Sequence, residues 1–314
     1  MMQNKSHTIS KPVSESSLGV SYASAAYLIW GLAPLYWKEL NFVPALEIIM
    51  HRIVWSFLFL IPLLLLPGRS NEFIAAVKNR RTLMALISTS FLIWCNWFVF
   101  IWAVNHGHIL QTSLGYYINP LLSVLMGMIF LKERLRPMQV VAVILAGTGV
   151  VYQTVQYGEF PVISLTLAFS FGSYGLVRKI APVGSVAGLG VETLILSFPA
   201  LAYLLYSDAS GTGTFLRVNA RTDLFLMGTS LFTAVPLIFF TLGAKRLHLS
   251  TVGFLQYIAP SCCFILAVFV FHEPISEIQI HTFVMIWTAL FIYSADSLIK
   301  LKLETCENRH SGKS

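Results

Sequence analysis

Apolar and polar residues do not alternate along this chain; they fall into long blocks, and ten of the apolar blocks have the length of a bilayer crossing. A helix rises about 1.5 Å per residue, so roughly 20 mostly apolar residues span the hydrocarbon core. That rule predicts helices over 18–38, 45–66, 83–103, 109–131, 138–156, 160–177, 187–205, 223–243, 249–271 and 279–299, joined by short links. Each block is continuously apolar, whereas barrel strands alternate over about 10 residues, so helices are expected and strands are not. The expected fold is an all-α integral membrane protein with ten transmembrane helices.

Composition agrees with this pattern. The 314 residues are 56% hydrophobic and 11% charged, with mean hydropathy +0.72, which is outside the range of a domain whose surface faces water. The lipid bilayer is therefore the first partner implied. A net charge of +7 matters here through its distribution, and nucleic acid is not an expected partner. With the N-terminus cytoplasmic, that side collects Lys5, Lys11, Arg69, Lys78, Arg80, Arg81, Lys132, Arg134, Arg136, Arg178, Lys179, Lys245, Arg246, Lys300, Lys302, Arg309 and Lys313. The opposite side keeps only Lys38, Arg217 and Arg221. Positive residues are retained in the cytoplasm, so the separation supports an even number of crossings and two cytoplasmic termini. Residues 1–17 are polar and rich in serine, and the block after them is too long and aromatic for a cleaved signal peptide, so it is expected to remain as the first span.

The segment beginning at Tyr116, YYINPLLSVLMGMIFLKERL, returns about 140 residues later as QYIAPSCCFILAVFVFHEPI. Tyr117 matches Tyr257, Pro120 matches Pro260, and Glu133 matches Glu273 without a gap. The same offset pairs Phe100 with Phe240 and His108 with His248, and an offset of 141 pairs Gly31 with Gly172 and Lys38 with Lys179. The chain is therefore expected to be two copies of one unit, over 18–156 and 157–299, between cytoplasmic tails at 1–17 and 300–314. Five helices per unit is an odd number, so the second copy enters the membrane inverted. Such inverted five-helix repeats place a substrate site near the midplane between the halves of secondary transporters.

Pro120 and Pro260 each remove a backbone donor and are expected to bend their helices, as hinges or as cavity lining; the plainer alternative is that proline is common in membrane helices. Lys132-Glu133-Arg134 ends the first copy of the segment on the basic side, while His272-Glu273-Pro274 ends the second without the cations. The shared glutamate is expected to cap the helix that follows, where a carboxylate meets the positive helix end.

IWGLAPLYWK, HRIVWSF, NWFVFIWAVN, SLGYYINPLLSVLMGMIFLKERL and STVGFLQYIAPS together resemble the EamA-type drug/metabolite transporter superfamily, and within it the RarD group of chloramphenicol-sensitive or chloramphenicol-resistance permeases. The resemblance runs from about residue 18 to 299. It implies a multi-pass carrier of the bacterial inner membrane, with ten helices around a central cavity, exporting small metabolites or drugs. It implies no particular cargo.

Ionisable side chains near a helix centre cost about 2.5–3.5 kcal/mol on insertion scales, so they are paired or face a polar cavity. Glu47, His51 and Arg52 lie in the second span, Glu192 in the seventh, and Asp296 near the end of the tenth, within reach of water. Arg52 and Glu192 share the 140-residue offset, but by helix rise Arg52 lies roughly 10 Å below one boundary and Glu192 roughly 8 Å above the other. Two separate anchors are expected, with a direct pair as the alternative. Arg52 presents a planar fork for an acidic group of the cargo, or else is a structural arginine bonded to helix-end carbonyls. Glu192 meets a cationic amine or carries a coupling proton; Glu47 and His51, four residues apart, assist a proton step or simply bond each other.

Around these, Trp30, Trp94, Trp97, Tyr116, Tyr117 and Tyr257 offer flat faces, and Asn96, Asn119 and Gln256 offer amides, a mixture that suits a small cargo with apolar and polar parts. Some of these rings are expected to pack between helices instead. Ala142, Ala146, Gly147 and Gly149 allow close helix contact, within one protomer or in a dimer, and the oligomeric state is unreadable. Cys95, Cys262, Cys263 and Cys306 lack metal or redox spacing, and there is no HExxH and no phosphate loop. No cofactor, metal or catalytic residue is expected. The competing classes are an intramembrane enzyme, suggested only by His106, His108 and His272-Glu273, and a receptor without transport activity.

Overall fold

A computed structural model describes residues 15–106, 108–158, 160–272 and 276–311. The described residues are helical, without strands: α1 (Glu15–Trp37), α2 (Ala45–Leu64), α3 (Arg69–Lys78), α4 (Arg80–Asn105), α5 (Ile109–Phe130), α6 (Pro137–Tyr157), α7 (Val162–Ile180), α8 (Ser185–Ala209), α9 (Ala220–Gly228), α10 (Leu231–Arg246), α11 (Leu249–Gln256), α12 (Ile258–Phe269) and α13 (Glu277–Ser311). Nine stretches among them are long and apolar enough to cross a membrane, with α9–α10 and α11–α12 each counted once. The remaining expected span is α7, whose Ser164, Ser170, Gly172, Ser173 and Gly175, with Arg178 and Lys179 at its end, dilute its apolar character. Large apolar side chains such as Phe91, Ile129, Ile144, Phe198 and Phe291 lie on the outside of the bundle, where water would be a poor solvent and lipid a good one.

Three departures from the expected elements have local causes. The basic link after α2 folds as α3, whose Glu72 accepts a hydrogen bond from the backbone N–H of Gly184, the residue before α8. The eighth span breaks at Thr229 and Ser230, where the hydroxyls of both residues bond back to Leu226 and Met227 carbonyls and compete with the helix ladder. The ninth span breaks at Tyr257: Pro260 has no N–H to offer the carbonyl of Gln256, the last residue of α11. Pro120, by contrast, sits inside an uninterrupted α5, so the two equivalent prolines differ in whether the helix assignment is interrupted. The backbone of α5 there is held against Gly253 of α11, where a side chain would come within 2.6 Å of the Pro120 carbonyl oxygen.

The packing has a regular plan. α1 packs on α10 and on α11–α12; α7 packs on α4 and on α5. α2 packs on α8, α5 on α11, and α6 on α13. Exchanging α1 with α7, α2 with α8, α4 with α9–α10, α5 with α11–α12 and α6 with α13, the counterparts expected from the sequence offset, leaves this set of neighbours unchanged. Individual residues follow the same exchange. Gly31 lies against Ala259 and Cys262, while Gly172 lies against Asn119 and Leu122, their counterparts at the 140-residue offset. Lys132 and His272, also 140 apart, both adopt the left-handed backbone, at φ 55° and 54°. A Cβ at Gly31 would meet that of Cys262 at 2.6 Å. Gly31→Val is therefore expected to cost about 1–3 kcal/mol through overpacking, seen as a lower unfolding midpoint in detergent. Gly147→Val, at a position with no neighbouring atoms, is the control.

Two further expectations are corrected or refined. Glu133 does cap a helix, but that helix is α11 of the other half and not the α6 that follows it: its carboxylate accepts from the N–H of Leu249 at 2.6 Å, and from the N–H and hydroxyl of Ser250 at 2.9 and 2.8 Å. The chain turns at left-handed Lys132, which aims Glu133 back toward its own bundle. Its counterpart Glu273 lies outside the described residues, as do the first 14 residues of the N-terminal tail. Ala142 and Ala146 are fully buried in the cluster built with α13, and Gly149 approaches Met285, so this small-residue face is used within the protomer.

Candidate functional site

The bundle has one end rich in cations and one poor in them, and the two ends are built differently. At the basic end the last turn of α7 and the last turn of α10 exchange lysines. Lys179 of α7 donates to the carbonyls of Ala244 (2.7 Å) and Leu247, while Lys245 of α10 donates to those of Ala181 (2.8 Å) and Val183 (2.6 Å). Each ammonium thus neutralises the negative C-terminal end of the other helix and occupies carbonyls that the helix leaves unpaired. Glu133 capping the N-terminus of α11, Arg246 with Glu15 (2.8 Å), and Arg136 with Asp296 (2.6 Å) add further ties across this end.

Just inside the basic end lies a buried ion pair. Sequence reasoning placed Arg178 with the cytoplasmic loop cations, but it is fully buried on α7, with its Nε 3.5 Å from a carboxylate oxygen of Glu192. Its Nη2 donates to the carbonyl of Ser185, and Gly188 on α8 makes room for Nη1, which has no hydrogen-bond partner. Glu192 also accepts from Thr89 at 2.5 Å and Tyr174 at 3.3 Å. The cluster ties α4, α7 and α8 together. Glu192 and Arg52 are separate anchors, and Glu192 has its own arginine.

Arg52 projects from α2 into different surroundings. Its Nε donates to Thr233 on α10 at 2.9 Å. The guanidinium carbon lies 5.2 Å from the ring centre of Trp37 and 5.1 Å from that of Trp97, so two indoles flank the cation. Tyr116 on α5 is its electrostatic neighbour and keeps half of its surface accessible, although α5 is packed within the bundle. Arg52 takes part in none of the ion pairs among the described residues, and neither of its Nη atoms is both enclosed and unpaired. The Nη edge of the fork therefore has no partner among the described residues and is not fully enclosed, with α1, α4, α5 and α10 around it.

The other expected residues divide by what they touch. Glu47 is tied to the loop after α8, accepting from the N–H and hydroxyl of Thr214 at 2.6 and 2.8 Å. It also lies 3.8 Å from His51, whose Nδ1 accepts from Trp55. Trp30 packs against Tyr27, Phe171 and Phe240. Trp94 lies between Phe91 and Phe98, two exposed rings on the outer face of α4. Asn96 is spent on α7, donating to the Leu167 carbonyl and Ser170 hydroxyl. Tyr117 and Tyr257 are buried in the α5–α6–α13 cluster, where the Tyr257 hydroxyl bonds the Tyr117 carbonyl. Asn119 and Gln256 are buried, and the Asn119 Oδ1 has no partner among the described residues. Cys95, Cys262 and Cys263 are half-buried thiols.

Of the residues that complete the Arg52 surroundings, Trp37 and Thr233 were not expected from sequence, whereas Trp97 and Tyr116 were among the rings expected to offer flat faces. Tyr116 was weighed beside Tyr117, and the structure turns the former toward Arg52 and the latter into the core. A groove of about 390 Å³ between α4, α5 and α7 is lined by Leu92, Leu122, Leu165, Thr166, Phe169 and Ser170. Its walls are almost wholly apolar and it lies on the outside, so it is a lipid-facing recess distinct from the polar sites. Among the described residues there is no cluster of histidine, cysteine and carboxylate groups able to hold a metal.

Comparison with known proteins bears on this arrangement. Residues 17–154 match the EamA-like transporter family. An uncharacterized transporter, YojE, of Bacillus subtilis strain 168 is 46% identical over 289 residues, covering 89% of this chain and 94% of its own. Protein RarD of Salmonella typhi is 46% identical, covering 89% of this chain and 95% of its own. A more distant protein of Pseudomonas aeruginosa, named chloramphenicol-sensitive protein RarD, is 30% identical over 90% of this chain and 95% of its own. One crystal structure, at 20% identity, covers 89% of this chain and 98% of its own with a TM-score of 0.69, a likeness of fold.

Proposed function

The chain belongs to the EamA-like transporter family and to its RarD group, and from that premise we propose that it is a secondary transporter moving a small metabolite, amino-acid-like compound or drug across the bacterial inner membrane by alternating access, as an exporter. Ten crossings arranged as two inverted five-helix units build the passage, and both termini are cytoplasmic. The observation that carries this reading is the exchange symmetry of the packing, repeated by the Gly31 and Gly172 contacts and by the left-handed Lys132 and His272. A tenth crossing by α7 is supported by its contacts at both ends. Ser164 in its first turn bonds the Gln111 carbonyl in the first turn of α5, and Lys179 in its last turn reaches the end of α10.

The basic end is the cytoplasmic end, where the exchanged lysines and Glu133 close the passage. Arg52, Trp97 and Tyr116 lie toward the opposite, external end, and the ties at the cytoplasmic end support reading the conformation as outward-facing. Alternating access requires the lysine and glutamate ties to part while the helices near Arg52 close. Glu192, held by Arg178, Thr89 and Tyr174, is assigned to the α4–α7–α8 junction rather than to cargo. Glu47 and His51, at the external end of α2, are the better placed candidates for a proton step.

The experiment is a comparison of metabolites retained by cells with and without the gene, followed by flux of any responding compound in vesicles holding the purified protein. The expected result is at least one small molecule that accumulates without the gene and crosses vesicles only when the protein is present. Unchanged metabolite pools together with protein-independent flux would overturn the reading.

A further inference from the structure

Arg52 is a permanent cation placed among membrane helices, paired with no carboxylate among the described residues. Every ion pair among the described residues leaves it out, and the nearest acid along α2, Glu47, is engaged by Thr214 and His51. Two indole faces stabilise the guanidinium from the sides but supply no charge. Natural membrane proteins pair such a cation or give it a polar passage to face. Thr233 occupies only Nε, which fixes the plane of the fork and leaves the Nη1–Nη2 edge for a bidentate partner.

We propose that Arg52 is the recognition group for an organic monocarboxylate, bound edge-on by the two Nη atoms with its flat or apolar body against Trp97, Tyr116 and Phe100. The inference deepens the transporter reading, on which it rests for the cargo's passage but not for its binding. One uncompensated cation favours one negative charge; a second anionic group would find no partner in the residues around Arg52. A zwitterionic amino acid is disfavoured for the complementary reason, because its ammonium would need an acceptor and the carboxylate of Glu47 is already bonded. The walls match an apolar body: Tyr116 stands edge-to-face with Phe100 at 6.2 Å, and Cys263 on α12 adds a soft surface next to Tyr116.

The test measures binding to the purified full-length protein in detergent, by calorimetry and by the shift of the unfolding midpoint, using indole-3-acetate, its neutral analogue indole-3-acetamide, and tryptophan as probes. The acid is expected to bind and to raise the midpoint, while the amide and the zwitterion bind at least about tenfold more weakly, because only the acid offers a charge-assisted pair without a stranded ammonium. Arg52→Gln should abolish acid binding while leaving the unligated midpoint unchanged or higher, since it removes a cation that no carboxylate among the described residues pairs. Arg52→Lys should weaken binding about tenfold, a point charge replacing a planar fork.

Equal binding of acid and amide, failure of the acid to bind the folded parent, or a markedly lower unligated midpoint for Arg52→Gln would each overturn the proposal, the last by making Arg52 structural. Vesicle flux of other compounds by the same preparation would show that transport survives such a failure.

Discussion

Replacing Arg178 by methionine is expected to lower the stability of the folded chain by about 3–5 kcal/mol, the usual cost of stranding one member of a buried ion pair. Arg178 is fully buried, and its side chain faces Glu192 across 3.5 Å with no water-accessible route for the carboxylate. Methionine keeps the bulk and removes the charge, so the lost term is electrostatic and not a cavity. Thr89 and Tyr174 would still donate to Glu192, but two hydroxyls do not replace a cation. The double variant Arg178→Met with Glu192→Gln should recover most of the loss, because it removes both buried charges. Unfolding midpoints of the parent, the two single variants and the double variant in one detergent check the cycle. A parent-like midpoint for Arg178→Met would mean that the pair contributes nothing, and the assignment of Glu192 to the junction would fall with it.

The elements of the fold were largely legible because they follow from one-dimensional rules. A bilayer sets helix length, so the apolar blocks marked the helices, and residues paired by the offset make equivalent contacts, Gly31 with Cys262 and Gly172 with Leu122. The missed features came from side chains competing with backbone. Thr229 and Ser230 break a span without a proline at the break, and the charged link Arg69–Lys78 forms a helix through its position beside α8. Pro120 and Pro260 show the same limit from the other side, since one residue type at equivalent positions leaves one helix whole and the other broken.

The site was legible in height but not in direction. Helix rise placed Arg52 and Glu192 at different depths, which agrees with their separate surroundings. It did not say which way each side chain turns. Tyr116 and Tyr117 differ by about 100° around α5, and that rotation separates a ring facing Arg52 from one packed on Phe283. Trp94 is half-buried against the core, between Phe91 and Phe98, which stand at helical spacing on the outer face of α4. Arg178, Lys179 and Lys245 were counted as loop cations because charge bias registers only the side of the membrane. Helix C-termini can draw such residues inward, and a cation in the last turn of α7 or α10 was the available clue.

The same exchanged lysines carry the second large expectation. On the proposed reading of the conformation as outward-facing, changing Lys179 and Lys245 together to methionine should shift the balance away from that form and abolish net transport. The pair makes four bonds to helix-end carbonyls, each charge-assisted bond contributing about 1.5–3 kcal/mol. Alternative conformations of one protein differ by only a few kcal/mol, so losing these bonds is enough to invert the population. Cys263 reports the change, since its half-buried thiol lies beside Gly31 at the Arg52 end of the passage. In a background with Cys95, Cys262 and Cys306 replaced by alanine, an impermeant maleimide added outside should label Cys263 at least about tenfold more slowly in the double methionine variant, following the population of the open state. The double arginine variant keeps both cations and should label nearly as the parent does, which separates loss of the ties from loss of folding. Unchanged labelling of a folded methionine variant would show that Lys179 and Lys245 merely cap helix ends, and the inner gate would have to be sought at Glu133 instead.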